Sequence, residues 1–255
     1  MNELLLLSGS DIPFPEARVT IHQPTLKEIS YIGEKTFFMG CGFLDFSKNL
    51  LNQSDKNRLA DCNDFDILMS IIINSDKTVK NTVESAMLVL SLIFPLYEVK
   101  VRKDKVAIIL TKDNQEFEVN RGNFPVFKEI IVSMFNLKMT GSTSDSYNPS
   151  GDMAKRIAEK FKKRHEQLSK LKENTNLEKD VSILSRYASI LAVGLQKNLN
   201  ELMQYTVYQL YNEFQRFQLK MQWDAYVQAR MAGAKDLEEV DNWMIDLKDQ
   251  GKSKK

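Results

Sequence analysis

The residue types that carry most protein chemistry are scarce in this sequence. Two histidines, His22 and His165, and two cysteines, Cys41 and Cys62, are all that 255 residues provide. A cysteine nucleophile needs a neighbouring base, and neither Cys41 nor Cys62 stands in a motif that supplies one; burial as a small hydrophobe is the commoner role. The four residues also lack the paired spacing of a zinc site, and two cysteines without a CxxC make no disulfide framework. His22, beside Pro24, reads as a strand-end ring hydrogen-bonded to backbone, and His165, next to Glu166, as a residue on a helix surface. Asp61, Asp64 and Asp66 bunch like the start of a calcium loop, but neither the loop glycine nor the closing glutamate follows, so they read as acids at a helix start. Gly40-Cys41-Gly42 lacks the third glycine and the preceding strand of a dinucleotide loop, and GxxxxGK[ST] and GxSxG are missing. The expectation is a protein that is not an enzyme, with no catalytic residues, no metal and no cofactor.

The elements that must position everything else are legible from charge and periodicity. With 35 Lys+Arg against 34 Asp+Glu the formal net charge is +1, too balanced for a polybasic nucleic-acid coat. Hydrophobic residues at 43% and charged residues at 27% suit a globular chain. The apolar runs at 4–7 and 88–97 fall short of the roughly 20 residues a bilayer span requires, and 1–7 carries Glu3 and no basic stretch, so neither an anchor nor a leader is expected. Residues 4–23 suggest one or two short strands. A helix opens after Pro24 with Leu26, Ile29 and Ile32 on one face and Gly33 as its stop, and 36–52 reads as helix on both sides of Gly40 and Gly42, with its continuity in doubt. Asn63-Asp64 caps a helix running to Asn74, and 78–94 forms the next, closed by Pro95. Period-two patterning then gives a three-stranded meander with turns at Lys103-Asp104 and Asp113-Asn114, covered by a helix over Phe124–Leu137.

Thr140–Ser146 is small and polar and marks a boundary. Beyond it the pattern is helical: 152–173, then 181–193 ended by Gly194, then a long helix over 199–231 with Gly233 just past it, then a short acidic helix at 236–249. The predicted architecture is α+β and helix-dominated, a small antiparallel β-meander packed with helices and followed by an all-α C-terminal region. The expected division is a domain over 1–140, a linker over 141–150 and a helical domain over 151–250.

Two surfaces are candidates for recognition. The helix at 199–231 carries Tyr208, Tyr211, Met221, Trp223, Tyr226 and Met231. Either it is the central helix of a bundle core, or it presents aromatic and methionine side chains to a partner. The helix at 152–173 has a basic face with Lys155, Lys162, Lys163 and Arg164; eight basic residues against three acids give +5 over 151–172. A solvated face is the preferred reading over phosphate contacts, because no aromatics interleave to stack bases. Six acids against one Lys give −5 over 236–249, so the two charged segments could also pack together.

Three stretches resemble tail assembly chaperones of long-tailed bacteriophages of the siphophage type: Pro24–Glu34; Tyr147-Asn148-Pro149 running into Ala154–Lys160; and Leu184-Ser185-Arg186-Tyr187 followed by Tyr208–Phe214 and Ala229–Ala234. None is a chemical signature. The resemblance implies a non-catalytic assembly factor in the host cytoplasm, binding the tape-measure protein and tail-tube protein, and in many relatives accompanied by a longer frameshifted product. From the residues themselves no membrane partner is expected, nucleic acid is disfavoured and self-association is left open. The competing classes are a structural virion component, of tail or neck, and a nucleic-acid-binding regulator.

Overall fold

A computed structural model describes residues 2–48, 57, 59, 61–75, 79–137, 182–234 and 240–247. The expected linker at 141–150 and the basic helix with His165, Lys155, Lys162, Lys163 and Arg164 lie outside the described residues.

The first element departs from expectation. Residues 4–8 are not strand: Glu3–Ser8 is helix α1, capped by the Asn2 side chain on the Leu4 N–H and closed by Gly9 at φ 69°. Four consecutive leucines are strong helix formers, and Gly9 supplies the left-handed exit that a side chain would resist. The strands follow as β1, Ile12–Phe14, and β2, Val19–Ile21, antiparallel with Ile12 opposite Ile21 and Phe14 opposite Val19; all four are buried.

Helix α2, Leu26–Ile32, starts in a capping box between Thr25 and Glu28 and stops at Gly33, φ 85°. Helix α3, Glu34–Leu44, runs unbroken through Gly40 and Gly42. A Cβ on Gly40 would lie 2.5 Å from the Ser85 carbonyl oxygen. That glycine is therefore a contact surface rather than a break. It lets α3 lie closely against the later helix α5, Lys80–Ile93. Between them, α4, Asp64–Ile73, has a capping box of Asn63 with Asp66, so the acidic cluster does mark a helix start.

The meander is β3, Glu98–Arg102, β4, Ala107–Lys112, and β5, Gln115–Val119, paired antiparallel in that order. Lys112 pairs with Gln115 across Asp113-Asn114, both at positive φ, 50° and 61°. That is the two-residue turn whose twist suits a hairpin. Val99, Val101, Ile108, Leu110, Phe117 and Val119 belong to or pack on the core, and helix α6, Phe124–Phe135, completes this half.

Helix α7, Ile183–Leu195, continues through Gly194, which does not end it: an added Cβ there would sit 2.3 Å from the Phe217 ring. The expected helix over 199–231 is two. A short α8, Leu199–Leu202, is followed by α9, Val207–Met231, with Thr206 and Gln209 forming a capping box. Gly233, φ 86°, follows the last turn and donates its N–H to the Arg230 carbonyl at 3.0 Å. Of the short acidic helix expected at 236–249, the described residues 240–246 are turn and irregular chain instead.

The protein is thus a helix-dominated α+β fold with two small antiparallel sheets and an all-helical C-terminal region. On either side of residues 141–150 the described segments share one core, in which Phe37, Phe94, Phe127 and Ile131 join Leu191, Leu210 and Phe214.

Candidate partner-binding surface

Helix α9 carries the residues singled out for recognition, so its faces decide what they can do. Val207, Leu210, Tyr211 and Phe214 are buried and spaced three and four apart, one stripe of a 3.6-residue helix. This stripe packs on α7, α6 and α1. Tyr187 of α7 stacks on Phe214 with ring centroids 3.9 Å apart and meets Tyr211 edge-on at 5.5 Å. Tyr211 is therefore a core residue, 6% exposed. Burial first, then the neighbouring Tyr187 and Glu34, pushes its phenol up to about 12. Tyr208 is half-buried, its hydroxyl donating to Glu3 of α1 at 3.2 Å. Burial, then the charge of Glu3, likewise raises it to about 12.

The second half of the helix behaves differently. Beyond Leu219 no residue of α9 is buried, so about 18 Å of helix, at 1.5 Å per residue, stands clear of the core. Met221 lies seven residues after Phe214 and continues the core stripe into this region, where it is 55% exposed. Met231, at the helix end, is 83% exposed. Trp223 and Tyr226 are half-buried and touch each other, ring centroids 5.9 Å apart, and Arg230 donates to the Tyr226 hydroxyl at 2.7 Å. The six candidates thus divide into two anchored residues, Tyr208 and Tyr211, and four, Met221, Trp223, Tyr226 and Met231, on the projecting half.

A second stripe was not foreseen. Arg216, Leu219, Trp223, Tyr226 and Arg230 recur at three and four residues, opposite the core stripe. Arg216 donates to the carbonyls of Trp243, at 2.9 Å, and Ile245, so the segment 240–247 lies along this side. Helix α7 adds outward apolar residues that the sequence reading also passed over: Ile183, Ile190 and Val193, the last 81% exposed.

The base of this arm is tied down by paired caps. Thr25 and Thr206, the two capping-box threonines, form an antiparallel bridge. The Leu26 and Lys27 N–H groups, unpaired within α2, donate to the Tyr205 and Met203 carbonyls at 2.8 and 2.9 Å. The Glu34 carboxylate accepts from Ser182 Oγ and from the Ile183 N–H at 2.7 Å, at the N-terminus of α7, where the helix dipole favours an anion. A pocket of about 280 Å³ opens beside it, lined by Leu26, Ile29, Glu34, Leu184, Ala188 and Met203 among others. Lys197 joins the Tyr205 hydroxyl, at 2.5 Å, to Glu213 of α9.

The remaining chemistry-bearing residues take structural positions. Cys41 is fully buried, and burial pushes its thiol pKa far up, away from nucleophilic use. Asp64 accepts from the Lys48 N–H at 2.8 Å and from Lys128 Nζ at 3.2 Å, and Asp66 lies 3.4 Å from Arg121. The His22 ring departs from its expected backbone partner: Nδ1 meets Asp11 at 2.9 Å and Nε2 meets Glu28 at 3.3 Å. Among the described residues no three of His, Cys, Asp and Glu are grouped to hold a metal, and no helix is long and apolar enough to cross a membrane.

Compared with known families, residues 170–248 match the second domain of YomV, a Bacillus phage protein. The matched region takes in α7, α8, α9 and the segment 240–247, and associates this part of the chain with phage proteins. Neither the curated proteins nor the solved structures yield a match.

Proposed function

We propose that this protein is a non-catalytic phage assembly factor that binds the tape-measure protein, the tail-tube protein or both while a tail is built. The observation that carries the reading is the projecting half of α9, which displays Met221, Trp223, Tyr226 and Met231 beyond the shared core. Methionine and aromatic side chains adapt to different apolar surfaces, and an amphipathic client helix binds by laying its apolar face against such a ridge. The phage-associated match over 170–248 supports the setting, and the resemblance of Pro24–Glu34 and Leu184–Tyr187 to tail assembly chaperones supports the role.

The test is a tagged pull-down of the full chain from native lysate, with captured proteins identified by mass spectrometry. A very long helical protein or tail-tube subunits among them support the reading. Their consistent absence at a level where the bait is folded ends it, and co-purification with finished particles would instead make the chain a structural virion component.

A further inference from the structure

We propose that His22 is a proton-operated clasp: as an imidazolium it ties the chain ahead of β1 to the cap of α2, and on losing a proton it loosens the seat of α2 on the α8–α9 junction. The device acts at the base of α9, whatever the far end of that helix binds.

The geometry sets the charge of the ring. Nδ1 lies 2.9 Å from an Asp11 carboxylate oxygen, and Nε2 lies 3.3 Å from each carboxylate oxygen of Glu28. An ionised carboxylate only accepts hydrogen bonds, and a neutral imidazole donates from one nitrogen alone. Both contacts are therefore hydrogen bonds at once only when both ring nitrogens carry protons. Burial works against the charged ring, but Asp11 and Glu28, the charged groups that bear on it among the described residues, favour it. Helix α5 meets His22 through the Ile93 carbonyl, which accepts the His22 backbone N–H at 2.8 Å.

Loss of a proton to solvent, which reaches this half-buried ring, forces a choice. The ring keeps its proton at Nδ1, where the contact is shorter, and turns the lone pair of Nε2 towards Glu28, acceptor against acceptor. Glu28 is not isolated: its Oε2 also accepts from the Thr25 N–H at 2.7 Å and from the Thr25 hydroxyl at 2.8 Å, the capping box of α2. Thr25 in turn bridges Thr206, and the next two N–H groups, of Leu26 and Lys27, reach the Tyr205 and Met203 carbonyls. Consecutive contacts thus connect the proton on His22 to the residues that seat α2 at the start of α9.

The chain has two histidines, His22 and His165, so ring-nitrogen NMR of the full protein follows His22 directly, with His22→Gln assigning its signals. At low pH both His22 nitrogens should carry protons. As pH rises through the folded pKa, Nε2 should lose its proton. Over the same range, amide-exchange protection of Leu26 and Lys27, corrected for the intrinsic pH dependence of exchange, should fall several-fold relative to amides of β4. Glu28→Gln should abolish that fall: glutamine still serves in a capping box, and its amide donates to a neutral Nε2. Protection that stays level while His22 of the parent loses its proton overturns the proposal, as does loss of the proton from Nδ1 or a fall of equal size in Glu28→Gln. Should Glu28→Gln not fold, the titration of the parent chain decides by itself.

Discussion

At the scale of single residues, the His22 ring ties the fold's N-terminal end together through Asp11 and Glu28. Burial works against its protonated form, but hydrogen bonds and charge from Asp11 and Glu28 prevail and raise its pKa above 6.5. Burial likewise disfavours the Glu28 carboxylate, yet the Thr25 N–H and hydroxyl and the His22 ring hold it below 4.5. A raised histidine contributes stability that is complete below 6.5 and fades as pH rises through the folded value, while a depressed carboxylate loses its contribution only as pH falls below 4.5. Melting temperature should therefore decline as pH rises from 6.5 through the raised folded value of His22, and His22→Gln should flatten that decline; a slope unchanged by the substitution would show that other groups set it. Gly40 offers a second residue-level test. An alanine gains helix propensity but drives its Cβ into the Ser85 carbonyl, so Gly40→Ala should lower unfolding free energy by about 1–3 kcal/mol in a denaturant titration. The sequence named Gly40 and Gly194 as weak points because glycine usually is one; nothing in it showed that Ser85 and Phe217 would occupy the space a side chain needs.

At the scale of elements, the signals that survived were local ones. Asn63 at a helix start, Asp113-Asn114 between strands and Gly33 as a stop each need only neighbours a few residues away, so their chemistry is readable from sequence. The break before α9 was also written there, as Thr206 followed three residues later by Gln209, the pattern of a capping box. The apolar periodicity of Leu202, Met203 and Val207 ran across it and hid it. Thr206→Ala removes the bond to the Gln209 N–H at the point where α9 meets α2, and should cost about 1 kcal/mol, seen as a lower denaturation midpoint. A loss well beyond 2 kcal/mol would mean that the paired caps act as one unit. The segment 240–247 was misread for the opposite reason: its apolar spacing fits a helix, but Arg216 takes the carbonyls that a helix would use.

At the scale of the whole molecule, two kinds of surface meet on α9. Its first half closes a core shared with the N-terminal helices, and its second half carries side chains of the same chemistry past the end of that core. Their spacing around the helix means that Tyr208, Tyr211, Met221, Trp223, Tyr226 and Met231 cannot all face one neighbour, but which of them face inward depends on where the bundle ends, a long-range property. Tyr211 went to the core through Tyr187; Met221, on the same stripe, did not. The central claim is that the projecting half binds a client without supporting the fold, and the most direct measurement pairs client capture with melting temperature for Trp223→Ala. The account predicts a several-fold fall in captured tape-measure or tail-tube protein with a melting temperature within about 2 °C of the parent, as for a substitution outside the core. A loss of stability that matches the loss of capture would return Trp223 to the fold and contradict the claim.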